Sequence, residues 1–284
     1  MLREEVNGRG RDCCRRTGAA GWRSGMPVVS LSGKVCLVTG ASSGIGAGTA
    51  LLFARLGARL ALNGRNEENL KETARRCEEF CDQKPLLVPG DLTDEAVLRG
   101  MVEQTVAHFG QLDVLVNNGA ILAMGGIEDT TLQDYDRVMN VNVRSLLLLT
   151  QLAVPHLIKT KGNIVNVSSV AGLRSFPGAV VYCMSKAAVD QLTRCAALDL
   201  ASKQVRVNAV CPGTIMTKLH QRAGLDEAQY TQFLQHSKST HPLGRPGTVE
   251  EVARTIAFLA SDAASFITGV TMPIDGGRHA MCPR

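Results

Sequence analysis

Residues Lys34 to Gly64, KVCLVTGASSGIGAGTALLFARLGARLALNG, decide the fold. KVCLVTG is a short β-rich apolar run that stops at a glycine. GAGTALLFARLG then has helical length, and ARLALNG repeats the first format. Both apolar runs are continuous rather than alternating, which predicts strands buried on both faces. Two such strands joined through a helix predict a right-handed crossover and parallel pairing.

The same unit recurs outward along the chain. PLLVPGD, LDVLVNNG, GNIVNVSS, QVRVNAVCPG and GVTMPIDGG complete seven apolar runs, most of them separated by helical-length segments. Each ends in Gly, Asn, Ser or Asp. Thr248 and Glu251 form a capping box ahead of VARTIAFLA. Thr93, before Asp94 and Glu95, is placed to cap another helix. No repeat or low-complexity linker interrupts Lys34 to about Gly277. The expected fold is one doubly wound α/β domain with a seven-stranded parallel sheet and helices on both faces. Ligands of such sheets bind at the carboxyl ends of the strands, where the polar punctuation lies.

Composition removes several function classes. The 284 residues are 45% hydrophobic, 20% charged and only 4% aromatic, with a net charge of +5. Residues 1–25 carry six arginines against Glu4, Glu5 and Asp12, so most of that charge sits at one end. The remainder has no basic stripe and no aromatic–basic interleaving, so no nucleic-acid partner is expected. The nine cysteines are scattered without a CxxC pair, and the histidines lack ligand spacing. This predicts reduced thiols, a cytoplasmic setting and no metal. The longest apolar run, SLLLLTQLAV, is short and meets Pro155, so no membrane span is expected. Residues 1–25 read as a disordered extension ahead of a second start at Met26. A mitochondrial leader is the alternative, which Glu4 and Glu5 oppose.

TGASSGIG follows the first strand and opens the first helix. Gly40, Gly44 and Gly46 allow a tight turn and close backbone approach, and the helix N-terminus offers N–H groups to a diphosphate. No lysine follows in the arrangement of a nucleoside triphosphatase. The second strand ends in Gly64–Arg65 rather than in the acid that pairs with ribose hydroxyls of NAD. A guanidinium there suits a 2′-phosphate, so NADP(H) is favoured over NAD(H).

VYCMSKAAVDQL places Tyr182 and Lys186 one turn apart on an apolar helix. With TGASSGIG, NNGA (Asn117 to Ala120), NVSS ending at Ser169, VNV around Asn142 and CPGTIMT, it resembles the classical short-chain dehydrogenase/reductase family. The resemblance covers residues 30–277 and implies a Rossmann fold and hydride transfer between NAD(P)(H) and a carbonyl or secondary alcohol. Tyr182 is then the general acid/base, and the Lys186 ammonium favours its phenolate by lowering its pKa. Lys186 also holds the nicotinamide ribose. Ser169 orients the substrate oxygen, and Asn142 holds a water of a proton relay.

The resemblance further assigns cofactor contacts. These are Ser42, Ser43 and Ile45 in the glycine loop, Asp91 and Leu92 at the adenine, and Asn117 and Gly119 beside the adenosine ribose. Pro212, Gly213, Ile215 and Thr217 hold the carboxamide. The family writes NNAG where this chain has Gly119–Ala120. Residues 213–247 are expected to form the substrate lid, with His220, His236 and His241 read as solvated side chains. HPLGRPGTVEEVA resembles 3-oxoacyl-carrier-protein reductases and sugar or polyol dehydrogenases. The helices that carry LLLLTQLAV and Tyr182 are apolar nearly all round, so the side away from the sheet needs a partner, and the resemblance implies that these two helices build a homodimer or homotetramer interface. An NAD-dependent steroid or polyol dehydrogenase is the alternative. A dinucleotide-binding regulator without turnover is a further one, against which the full set Ser169, Tyr182 and Lys186 stands.

Overall fold

The computed structural model describes residues 29–81 and 83–281. The expected N-terminal extension lies outside them. The chain runs β1 (Val35–Val38), α1 (Gly44–Arg55), β2 (Arg59–Gly64), α2 (Glu67–Glu78), β3 (Leu86–Pro89) and α3 (Glu95–Phe109). Then follow β4 (Val114–Asn117), α4 (Leu132–Met139), a π turn (Asn140–Arg144), α5 (Ser145–Thr160) and β5 (Asn163–Val167). The last part comprises α6 (Val170–Leu173), α7 (Val180–Ala201), β6 (Arg206–Pro212), α8 (Leu219–Arg222), α9 (Glu227–Thr240), α10 (Val249–Ala260) and β7 (Thr271–Ile274).

All seven strands pair in parallel in the order β3-β2-β1-β4-β5-β6-β7. The order reverses between β1 and β4, and that switch point opens a crevice at the carboxyl edge. Strand side chains alternate between two helix layers. Cys36, Val38, Leu60, Leu62, Val114 and Val116 face α1, α2 and α10. Val35, Leu37, Ala61, Leu115 and Ile164 face α3, α5 and α7. Each fully buried Leu or Phe contributes roughly 1.5–3 kcal/mol, and Leu37, Phe53, Leu60, Leu115 and Leu157 are all fully buried.

Three details differ from the expectations. Asp94, not Thr93, caps α3, because Asp91 already engages the Thr93 amide and hydroxyl. The capping box at Thr248 and Glu251 forms as read. The apolar run does not end at Pro155: α4, the π turn and α5 form one helix, Leu132–Thr160. The helix has 29 residues, and its most apolar 18-residue window averages a hydropathy of 1.3, long and apolar enough to cross a bilayer by those measures alone. Here Leu149, Ala153 and Leu157 pack on the sheet, which accounts for the apolarity. Leu147 and Leu198 stay exposed on the outer sides of α5 and α7.

Candidate active site

The loop after β1 is held by the loop after β4. The Thr39 hydroxyl accepts the amides of Asn118 and Gly119, each at 3.0 Å. The Asn118 side chain donates to the carbonyls of Thr39 at 2.9 Å and Gly40 at 3.3 Å. Gly40 and Gly44 have φ of +65° and +55°, a region that penalises any Cβ. Gly46 is required for a different reason. A Cβ there would lie 2.5 Å from Asn118 Nδ2 and 2.8 Å from the Gly40 carbonyl carbon. Ser43 is the N-cap of α1 but makes no capping bond, and its hydroxyl instead accepts from Arg222 at 3.0 Å. The start of α1 is left as a backbone cradle for an anion.

At the ends of β2 and β3, Asn63 uses its amide on the carbonyls of Val88 and Gly90. Gly64 lies against Ser42: a Cβ would fall 2.9 Å from the serine Cβ. An acid at that position would have to displace the glycine loop. Arg65 is 65% exposed on its side chain and reaches Asp91 only at 3.5 Å. Burial raises the Asp91 carboxyl pKa, but its Thr93 bonds and Arg65 outweigh that and hold it below the usual range.

Across the crevice, Ser169 is the N-cap of α6, its hydroxyl accepting the Ala171 amide at 3.1 Å. The half-buried Tyr182 lines the same cavity as Ser169. Lys186 is buried, donates to the Val167 carbonyl at 2.8 Å, and lies 5.6 Å from the Tyr182 ring centre. The electrostatics differ from the expectation. Burial pushes the Tyr182 phenol up to about 12, with the Ser169 hydroxyl opposing it. Burial pushes Lys186 down to about 8, opposed by the Asp190 carboxylate. Desolvation of both groups thus outweighs the stabilisation of phenolate by the neighbouring ammonium.

The π turn places Asn142 in the core, 2% exposed. Its amide oxygen accepts from the Ile121 amide, and its nitrogen donates to the Ile121 carbonyl and to Ser185. Both donors are therefore spent on locking the chain after β4 to α7.

One cavity brings most of the expected residues together. Gly40, Ser42, Ser43, Gly44, Ile45, Arg65, Asp91, Leu92 and Gly119 line its β1–β3 side. Ser169, Tyr182, Lys186, Pro212, Gly213, Ile215 and Thr217 line the other. Gly46, Asn142 and Asn117 do not line it. Asn117 turns into the core, where its amide donates to Thr150 and Asn166. Asn118 takes the cavity position instead. Asn63, Ser168 and Arg222, which no sequence motif singles out, also line it, as does His220, expected to be solvated.

The lid histidines are not uniformly solvated. His236 is exposed, whereas His220 stacks on Phe233 with ring centres 4.2 Å apart. His241 is buried, accepts the Thr214 amide at 3.0 Å through Nε2, and meets the Ser237 carbonyl through Nδ1. It ties the end of α9 to the loop after β6.

A glycine cradle at the switch point, facing a Ser–Tyr–Lys set on the same crevice, defines a dinucleotide-dependent oxidoreductase architecture. Comparison with known proteins agrees. The family described as Enoyl-(Acyl carrier protein) reductase matches residues 40–279. The chain is 42% identical over 248 residues to a 3-oxoacyl-[acyl-carrier-protein] reductase, FabG, of Thermotoga maritima, covering 87% of this chain and 98% of that one. It is 36% identical over 247 residues to meso-2,3-butanediol dehydrogenase of Serratia marcescens, covering 87% and 95%. A cofactor-bound short-chain dehydrogenase/reductase of unknown function from Caenorhabditis elegans superposes with a TM-score of 0.84 at 35% identity, covering 90% and 98%. This chain belongs to the classical short-chain dehydrogenase/reductase family. It is an NAD(P)-dependent oxidoreductase acting on CH–OH donors.

Proposed function

We propose that the protein is an NADP(H)-dependent carbonyl reductase or alcohol dehydrogenase in which Tyr182 is the general acid/base. The observation that carries this reading is the convergence of Ser169, Tyr182 and Lys186 on the same cavity as the glycine cradle. The residues fit a dinucleotide. The uncapped start of α1 suits the diphosphate, Asp91 and Leu92 the adenine, and Pro212, Gly213, Ile215 and Thr217 the carboxamide. Arg65, with Gly64 packed against Ser42 where an acid has no room, suits a 2′-phosphate. The nicotinamide cofactor supplies the hydride.

The protein's own groups handle the proton and the orientation. The Ser169 hydroxyl holds the substrate oxygen beside Tyr182, which as phenol gives its proton to a developing alkoxide in reduction and as phenolate takes one from the alcohol in oxidation. A phenol kept protonated by burial is suited to the reductive direction. Lys186 binds the ribose and reprotonates the phenol. Asn142 retains one lone pair on its amide oxygen and its main-chain carbonyl for a water, since its N–H donors are committed. Residues 213–247 close over the substrate. The likeness of 87% of the chain to an oxoacyl reductase and a diol dehydrogenase supports a small carbonyl or vicinal hydroxy substrate. The exposed Leu147 and Leu198 support a homodimer or homotetramer through α5 and α7. The free thiols Cys36, Cys77, Cys183 and Cys211 support a reducing, cytoplasmic setting.

The test is Tyr182→Phe, assayed with NADPH against a panel of oxoacyl thioesters and diketones. Turnover should fall by about 10²- to 10⁴-fold with NADPH affinity retained. Undiminished turnover in the variant would overturn Tyr182 as the proton donor.

A further inference from the structure

Helix α7 carries a third titratable residue on the face of Tyr182 and Lys186. Asp190 follows Lys186 by four residues, as Lys186 follows Tyr182, so the three side chains line up along one stripe of the helix. Asp190 is only 2% exposed, which is rare for a carboxylate. Its Oδ1 accepts the Cys211 thiol at 3.7 Å. Its Oδ2 is buried and has no hydrogen-bond partner among the described residues.

The surroundings explain why no partner fits. Helix α6 crosses directly over the carboxylate. A Cβ on Gly172 would overlap Asp190 Oδ2 and lie 2.8 Å from the Lys186 carbonyl oxygen. Only a glycine allows α6, which begins at the Ser169 cap, to lie this close to α7. A lone buried carboxylate would cost several kcal/mol if nothing balanced it. The buried cation nearest along the helix is Lys186, one turn away and 3% exposed; its ammonium bonds the neutral Val167 carbonyl and makes no direct ion pair with Asp190, so the two charges act on each other through the sealed interior. The groups facing Asp190 are Lys186 and Arg194 on α7, Cys211 on β6 and the Ser168 hydroxyl after β5. Of these, Lys186 is the buried cation.

We propose that Asp190 is a positioning residue of the active site: its sealed carboxylate is the counter-charge that keeps Lys186 an ammonium and so sets the upper pH of catalysis. This rests on the reading of Tyr182 and Lys186 as the catalytic pair. The directions of titration agree with the geometry. Burial drives Lys186 towards the neutral amine and Asp190 opposes it. Burial also drives Asp190 towards the neutral acid, and Ser168, Arg194, Cys211 and Lys186 oppose that. Each buried ion thus preserves the other. Loss of the Asp190 charge removes the larger opposition to desolvation of Lys186 and leaves only the lesser one from Cys211, so the amine form then dominates at lower pH.

Asp190→Asn tests the proposal because it keeps the shape and removes the charge. The direct readout is titration of ¹³Cε-labelled lysine by NMR, with the Lys186 peak assigned by its loss in Lys186→Met. The Lys186 inflection should fall by about 1 unit or more in Asp190→Asn. The alkaline limb of kcat/KM for carbonyl reduction should move down with it, while NADPH affinity at pH 6.5 stays within about twofold. A merely structural role would lower the melting temperature and leave both inflections in place. An unchanged Lys186 inflection in the folded variant overturns the proposal. If the asparagine amide cannot be accommodated against Gly172, Asp190→Ser removes the same charge in a smaller side chain and carries the same expectation. Should the wild-type protein reduce no carbonyl, the catalytic reading fails, whereas the lysine titration still decides the role of Asp190.

Discussion

Gly46→Ala should disable the cofactor cradle while leaving the fold standing. Gly46 does not line the cavity, so the effect must pass through the backbone. The added Cβ would lie 2.5 Å from Asn118 Nδ2 and 2.8 Å from the Gly40 carbonyl carbon, where ordinary contact begins at 3.4 Å. Neither neighbour is the free end of a long side chain. The turn at Gly40 therefore has to retreat by about 1 Å, a displacement that costs on the order of 10²-fold in a positioned site. Asn118 loses its bonds to the Thr39 and Gly40 carbonyls. At about 0.5–1.5 kcal/mol each, that is a stability loss of about 1–3 kcal/mol. The assay pairs a thermal melt with an NADPH fluorescence titration. The expected result is a Tm lower by about 2–10 °C and a Kd weaker by about 10- to 100-fold, equivalent to about 1.4–2.8 kcal/mol. Gly100→Ala in the middle of α3 is the control, since its only near neighbour is the flexible end of Gln104. It should gain about 0.5–1 kcal/mol and leave binding alone. NADPH affinity within threefold of wild type in Gly46→Ala would refute the view that the turn is held by this contact.

Two further outcomes follow from the site. Arg65→Ala should weaken NADPH by about tenfold and NADH by less than about twofold, because its exposed guanidinium, paired with Asp91 only at 3.5 Å, is the group proposed to meet the 2′-phosphate; a wild-type preference for NADH in the same titration would reverse the cofactor reading. Burial lowers the pKa of His241 from its ordinary value near 6.5, with the Ser237 carbonyl opposing. The unfolded chain then binds the proton first. The anchoring of α9 is therefore full above about pH 6.5 and declines as pH falls through the lower folded value. Hydrogen exchange at α9 and Thr214, corrected for intrinsic rates, should speed up at pH 5.5 relative to 7.5; equal protection at both would show that protonation does not break the bond to Thr214.

The fold was legible because its signals are local. Seven apolar runs stopped by Gly, Asn, Ser or Asp name seven strands, and the helices between them leave parallel crossovers as the connection. The motif residues at the strand ends were legible for the same reason: once the sheet is wound, TGASSGIG, NVSS and CPGTIMT fall on one edge. Failures came where a side chain's direction depends on a partner far along the chain. In VLVNNG, Asn117 shares the parity of Leu115 and enters the core, but β4 ends there and Asn118 is free of the alternation. A helical wheel has no place for the π turn that sinks Asn142, and its partners Ile121 and Ser185 flank it at long range. His241 looked like any polar residue of an amphipathic lid until Thr214, 27 residues earlier, claimed its ring.

The electrostatics show most clearly what spacing alone leaves out. The i,i+4 spacing of Tyr182 and Lys186 says that an ammonium stands near a phenol, and from that alone the phenol's pKa should fall. Near is a one-dimensional statement, whereas desolvation is a sum over everything packed around the pair: β5, β6 and α6 seal Lys186, and Ser169 covers the phenol. The resulting shifts, up for Tyr182 and down for Lys186, have the sign of burial. In the proposed mechanism a pair in that condition works as an acid at neutral pH only so long as the lysine stays charged to resupply the proton. The proposed counter-charge lies one turn further along the same helix, where Asp190 repeats the spacing. Its carboxylate has meaning only because α6 shuts out the water that would otherwise screen it.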